Sequence, residues 1–156
     1  MDNNKFMQMS IELAYENTQK SKGKPFGAII TKNGEVVAKG VNDVLKTHDP
    51  TAHAELQAIR EASHILETSD LSDCELYASG EPCPMCLTAI YLANIKNVYY
   101  AYTAEEEEEA GLGTKYFYQQ VALPLNERDT KLINLQKNYQ DHNPFSLWIE
   151  LNKAKH

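Results

Sequence analysis

Between about Asn4 and Lys20, Phe6, Met9 and Leu13, with Ile11 and Ala14 beside them, recur at helical spacing and predict an amphipathic first helix. Ser21-Lys22-Gly23-Lys24-Pro25 ends it. The period then changes. Phe26 to Thr31 is a mostly apolar run that predicts a strand, Asn33-Gly34 carries a hairpin signal, and Val36 to Val41 returns as the antiparallel partner. Asn42 to Pro50 is polar and predicts a loop. From Thr51 to about Leu66 a second helix is expected, with Ala54, Leu56, Ala58, Ile59 and Ala62 marking its buried side and His53 and Glu55 in its first turn. Cys74 to Ser79 predicts a third strand, Pro84 opens a third helix where proline is favoured, and Val98 to Tyr102 predicts a fourth strand. A hairpin followed by crossovers implies a mixed sheet sandwiched between helices.

Beyond Tyr102 the pattern weakens. Glu105 to Glu109 reads as a solvated helix start, its acid favoured by the helix dipole. Gly111-Leu112-Gly113-Thr114 reads as a loop, Lys115 to Val121 as a short element, and Asn134 to Asn138 is balanced between strand and coil. Pro144 to Lys155 predicts a terminal helix whose Phe145, Leu147, Trp148, Ile149 and Leu151 must pack on their own domain or on a partner.

Composition narrows the class. With 156 residues, one domain spanning 1–156 is expected, and 42% hydrophobic against 24% charged residues is ordinary for a globular protein. A net charge of −7 weighs against general attraction to nucleic-acid phosphate. There is no basic n-region with an apolar run at the start and no membrane-length apolar stretch, so a cytoplasmic location is expected. Three cysteines, an odd number, argue against a disulfide framework, and Cys74 reads as a buried small hydrophobe.

The chemistry concentrates in Pro50-Thr51-Ala52-His53-Ala54-Glu55 and Glu81-Pro82-Cys83-Pro84-Met85-Cys86. One imidazole and two thiolates make three zinc ligands, and three ligands with an open fourth position is the catalytic arrangement. Glu55 then stands free to move protons beside the activated water. The order H-x-E followed by P-C-x-x-C is the signature of the zinc deaminases. Other readings stand beside it: a redox C-x-x-C pair, or a closed structural zinc site recruiting His48 or His64. His142 and His156 read as solvent-exposed, and Tyr99, Tyr100 and Tyr102 as strand packing. Asn42, directly after the second strand, is either a turn former or an amide that reads a ring carbonyl.

At these residues the chain resembles the cytidine/deoxycytidylate deaminase superfamily, and within it the small bacterial guanine deaminases. The likeness runs through Pro25-Phe26-Gly27-Ala28, the Asn42 loop, both metal motifs, Ala58-Ile59-Arg60, Ala89-Ile90-Tyr91, Glu109-Ala110-Gly111 and Pro144-Phe145-x-x-Trp148. It implies an α/β fold, a three-layer α/β/α sandwich around a mixed sheet of about five strands. It also implies Zn2+ on His53, Cys83 and Cys86, Glu55 as proton shuttle, and Asn42, the Ala54 backbone and Phe26 around a nucleobase. A homodimer exchanging a C-terminal segment, about 140–156, comes with it. Thr114 stands where those enzymes carry an aspartate, and His156 where they carry a terminal tyrosine. The expected reaction is guanine to xanthine and ammonia. The alternatives are another aminated ring (cytosine, isocytosine, an aminotriazine, a purine nucleoside), a tRNA adenosine, or a zinc module without catalysis.

Overall fold

A computed structural model of the chain describes residues 3–137 and 142–153. It divides into two compact units, Met1–Ala122 and Leu123–His156.

The first unit is built on four strands, β1 (Gly27–Lys32), β2 (Glu35–Val41), β3 (Cys74–Gly80) and β4 (Asn97–Tyr102), in the order β2-β1-β3-β4. β1 is antiparallel to β2 and to β3, while β3 and β4 are parallel. The expected hairpin forms at Asn33 and Gly34, whose φ values of 52° and 76° are the pair of positive angles that a two-residue turn between twisted strands requires. Four strands are present among the described residues, against the expected five or so; of the stretch 134–138, read as strand or coil, residues 134–137 are coil and Asn138 lies outside the described residues.

Alternation along the strands separates two cores, giving the three-layer arrangement expected. Ala28, Ile30, Ala38, Leu76 and Ala78 face one way, onto Ala54, Ala58 and Ala62 of α3 (Ala54–Leu66) and Ile90 of α4 (Pro84–Leu92). Ile29 and Tyr77 face the other way, onto Phe6 of α1 (Asn3–Ser21), with Met9 and Leu13 partly buried against them. Buried Tyr77 also stacks on Tyr99, ring centroids 4.9 Å apart, and its hydroxyl donates to Asn3 Oδ1 at 2.8 Å. Tyr99 thus packs as expected, whereas Tyr100 and Tyr102 are exposed. Cys74 is buried.

Three local readings need correction. The stretch from Asn42 to Pro50 is not all loop, because Val44–Thr47 forms one short turn of helix, α2. The second long helix begins at Ala54 rather than Thr51. Asp49 Oδ1 accepts from both the backbone N–H and the hydroxyl of Thr51, at 2.8 and 2.7 Å, and this turn holds the chain out of helix until His53. Third, α1 buries a stripe of Phe6, Ser10, Ala14 and Asn17, two of them polar.

After β4 come α5 (Ala104–Glu109) and α6 (Lys115–Ala122). Thr103 and Glu106 close a capping box at the start of α5. The second unit holds a 3-10 turn, Leu125–Glu127, and α7 (Pro144–Leu151), whose N-cap Asn143 accepts from the N–H groups of Phe145 and Ser146. Its Phe145, Leu147, Trp148, Ile149 and Leu151 are exposed, Trp148 by 66%. Among the described residues no helix is long and apolar enough to cross a membrane.

Candidate metal centre and pocket

Because β1 runs against its neighbours, the residue before β1 and the residues after β2, β3 and β4 all gather at one end of the sheet. Phe26, Asn42, Glu81 and Thr103 mark the four positions. Two helices begin close to that end. His53 is the N-cap of α3 and Cys83 the N-cap of α4, each in extended conformation with φ near −75°. Pro84 occupies the first turn of α4, as expected. Both helix starts turn their positive ends toward the same point, which favours thiolate and carboxylate there.

Close packing brings α3 into place. A Cβ at Gly40 would collide with the carbonyl oxygen of Ala54 and the N–H of Ala58, so β2 and the first turn of α3 meet only because position 40 lacks a side chain.

His53 Nδ1 lies 3.6 Å from Cys83 Sγ and 3.6 Å from Cys86 Sγ, and the three side chains form a group able to hold a metal ion. The spacing is itself a test. Zinc in a tetrahedral site bonds nitrogen at about 2.0 Å and sulfur at about 2.3 Å, which sets the two ligand atoms about 3.6 Å apart. The donors fit. His48 caps the end of α2 and His64 lies in the last turn of α3, and neither belongs to the group.

Electrostatics follow from this crowding. A hydrogen bond with Cys86, reinforced by the His53 ring and the Cys86 N–H, holds Cys83 well below the usual thiol range despite burial. Cys86 is pushed up by the same bond and by burial, so one thiolate is shared by the pair. His53 is raised chiefly by its hydrogen bond to Cys83. Glu55, only 6% exposed, is pushed up to about 7, mainly by burial, with the charge of Cys83 acting in the same direction.

Beside these residues opens a pocket of about 370 Å³. Of the residues expected from sequence, Phe26, Asn42, His53, Glu55, Cys83 and Thr114 line it. Cys86 and Ala54 are fully buried and do not line it, and Ala54 lies at the helix position whose N–H has no partner within α3. His156 lies outside the described residues. Asn42 does form a turn: its Oδ1 accepts from Val44 N–H at 3.2 Å, which orients the amide with its amino group on the opposite side and commits one of the oxygen's two lone pairs. Its own backbone donates to Phe26 O at 3.1 Å and accepts from Asn17 Nδ2 at 2.8 Å. Asn17, unnoticed in the sequence, thus ties α1 to the pocket wall.

The larger omission is Glu107. The acidic run was expected to be solvated, yet Glu107 is 6% exposed and lines the pocket. Its Oε1 and the Oγ1 of Thr114 are buried without a hydrogen-bond partner. The one local signal, Thr103-x-x-Glu106, fixes where α5 begins but not which of its glutamates turns inward.

Comparison with known proteins agrees with this geometry. Residues 1–102 match the family described as the cytidine and deoxycytidylate deaminase zinc-binding region. The guanine deaminase of Bacillus subtilis is 42% identical over 149 residues, covering 95% of this chain and 94% of its own. A solved guanine deaminase from Bacillus subtilis superposes with a TM-score of 0.90 at 40% identity, covering 96% and 95% of the two chains. Another solved protein, in complex with 8-azaguanine, superposes with a TM-score of 0.67 at 31% identity over 70% of this chain and 63% of that one.

Proposed function

The chain belongs to the cytidine and deoxycytidylate deaminase family, and from that premise we propose that its pocket deaminates the free base guanine, yielding xanthine and ammonia. The observation that carries the reading is one pocket lined by His53, Cys83 and the carboxyl of Glu55, with Cys86 buried behind it completing the metal-binding group.

Zinc on the three donors, when bound, supplies a water acidified toward neutral pH and one open coordination position. Glu55 does the proton work. It takes a proton from the attacking water, passes it to a ring nitrogen, and protonates the departing amine, so that water enters and ammonia leaves. A carboxyl whose pKa sits near 7 is matched to accepting and returning a proton at neutral pH. The amino side of Asn42 and the backbone N–H of Ala54 present donors to a ring carbonyl, and Phe26 forms a wall. Thr114 belongs to the pocket lining, and His156 enters this reading by its sequence position alone.

Turnover is cytoplasmic in this reading, in keeping with three free cysteines and with the absence, among the described residues, of a helix able to cross a membrane. The exposed apolar residues of α7 suit exchange of the C-terminal unit with a second copy in a homodimer. A net charge of −7 disfavours a tRNA substrate.

The test is ammonia release by zinc-loaded protein against guanine, with cytosine, isocytosine, adenine, guanosine and an aminotriazine in parallel. Guanine should be the substrate turned over, and Glu55→Ala should lower kcat by about 10²–10⁴-fold while zinc content stays unchanged. Turnover of a different ring alone would reassign the substrate. Unchanged activity in Glu55→Ala would remove the mechanism.

A further inference from the structure

Strand order places two polar walls at opposite sides of the pocket. Asn42 follows β2 at one edge of the sheet, and Glu107 follows β4 at the other. The Glu107 carboxyl reaches back from α5 over the end of β3, beside Gly80 and Phe26, so two strand spacings, roughly 10 Å, part it from the end of β2, enough to seat a planar heterocycle. Asn42 Oδ1 already accepts a bond from Val44 N–H. Glu107 Oε1 accepts none.

A carboxyl that is buried and lacks a partner costs stability, and folded proteins rarely keep one without a use. Here the fold also makes room for it. A Cβ at Gly80 would collide with Glu107 Oε2 and crowd the Phe26 ring, so the bare end of β3 is what lets the carboxyl lie there. Thr114 Oγ1 is a second unpartnered polar atom in the same pocket. Glu107 Oε1 and Thr114 Oγ1 thus leave hydrogen-bonding capacity at the pocket that no described residue meets.

The charged and titratable groups around Glu107 decide its form. Burial is the main influence, and Glu55 from α3, Glu81 and Cys83 from the segment after β3, and Glu108 of α5 itself all act in the same direction, pushing it up to about 8. Tyr118 of α6 also lies within its field. At neutral pH the side chain is therefore a neutral acid, with one donor and one acceptor. That pair matches an N–C–N ring edge bearing an exocyclic amine, where a lone-pair nitrogen stands beside an N–H.

We propose that Glu107, with Thr114, is a substrate-contacting and specificity-determining residue that hydrogen-bonds the amine-bearing N–C–N edge of the bound ring. This rests on the nucleobase reading above and extends it to a group that the metal motifs do not contain.

The experiment compares wild-type protein, Glu107→Gln and Glu107→Leu, all zinc-loaded and full length. It measures kcat and KM for guanine, calorimetric Kd for 8-azaguanine and for hypoxanthine (the ring without the amine), and melting temperature. Glu107→Leu should lose about tenfold or more in 8-azaguanine affinity while hypoxanthine affinity moves less than about threefold. Its melting temperature should rise by a few degrees, because a buried carboxyl with an unpartnered oxygen has gone. Glu107→Gln, which keeps one donor and one acceptor, should hold KM and Kd within about threefold of wild type. An unchanged ratio of the two affinities in Glu107→Leu, or a lowered melting temperature there, would overturn the proposal. So would a Gln variant as impaired as the Leu variant. Wild-type protein that neither binds nor turns over the bases removes the parent reading and this one with it. A working wild type beside an unaffected Leu variant removes this one alone.

Discussion

At Glu107 the carboxyl moves from its ordinary 4.5 to about 8, and burial is the chief cause. The sign of the consequence for stability is fixed by linkage. An unfolded chain releases this proton near 4.5, whereas the folded chain keeps it until about 8, so folding takes up a proton in between. Stability from this group is full below 4.5 and is lost as pH rises through 8. The melting temperature of Glu107→Gln relative to wild type should therefore climb from about pH 4.5 to about pH 8 and level off above it. Thermal melts across that range check it, and a gap that narrows with rising pH would contradict the burial. This residue was illegible in the sequence for a physical reason: five consecutive glutamates look alike until the helix phase selects which one turns inward. His53, Cys83, Cys86 and Glu55 were legible because metal chemistry restricts both residue type and spacing.

At the scale of elements, hairpin, strands and the long helices could be read because alternation and turn chemistry act locally. Asn33-Gly34 needs no tertiary contact to favour its turn. The start of α3 was missed by three residues because the Asp49–Thr51 turn competes with helix through side-chain bonds that periodicity does not register. α2 was missed because a four-residue helix carries too little pattern. Packing between elements leaves a fainter trace, and Gly40 is the example. Gly40→Ala should push the first turn of α3 off β2, cost about 1–3 kcal/mol in denaturant unfolding, and lower zinc occupancy by shifting His53. Full zinc content at wild-type stability would show that the contact is not what seats the helix.

For the molecule as a whole, metal and fold are one equilibrium. The triangle draws on the starts of α3 and α4, two elements separated in sequence and joined by packing on the same face of the sheet. Zinc bound to the native state alone stabilises it by about 4 kcal/mol at a thousandfold excess over Kd. Chelation should then lower the melting temperature by roughly 10 °C, and added zinc should restore it where magnesium does not. A melt indifferent to chelator would mean that the three donors hold no ion. The mixed sheet and its two helical layers were legible at this scale from element order. The number of strands was not, since the stretch 134–138 satisfies strand and coil propensities equally.

The bond from Val44 N–H to Asn42 Oδ1 carries one more implication. A primary amide has no intrinsic preference for which of its ends faces a visitor; here the backbone N–H of Val44, itself a residue of the pocket lining, orients it before any visitor arrives. In the proposed reading a ring carbonyl at this wall meets the amide's amino group, and that orientation is set by the main chain at position 44, whose side chain only adds to the pocket lining. Proline is the exception. At the first position of α2 it suits the helix yet carries no N–H, and Val44→Pro would release the amide to turn over and blur the distinction between keto and amino bases.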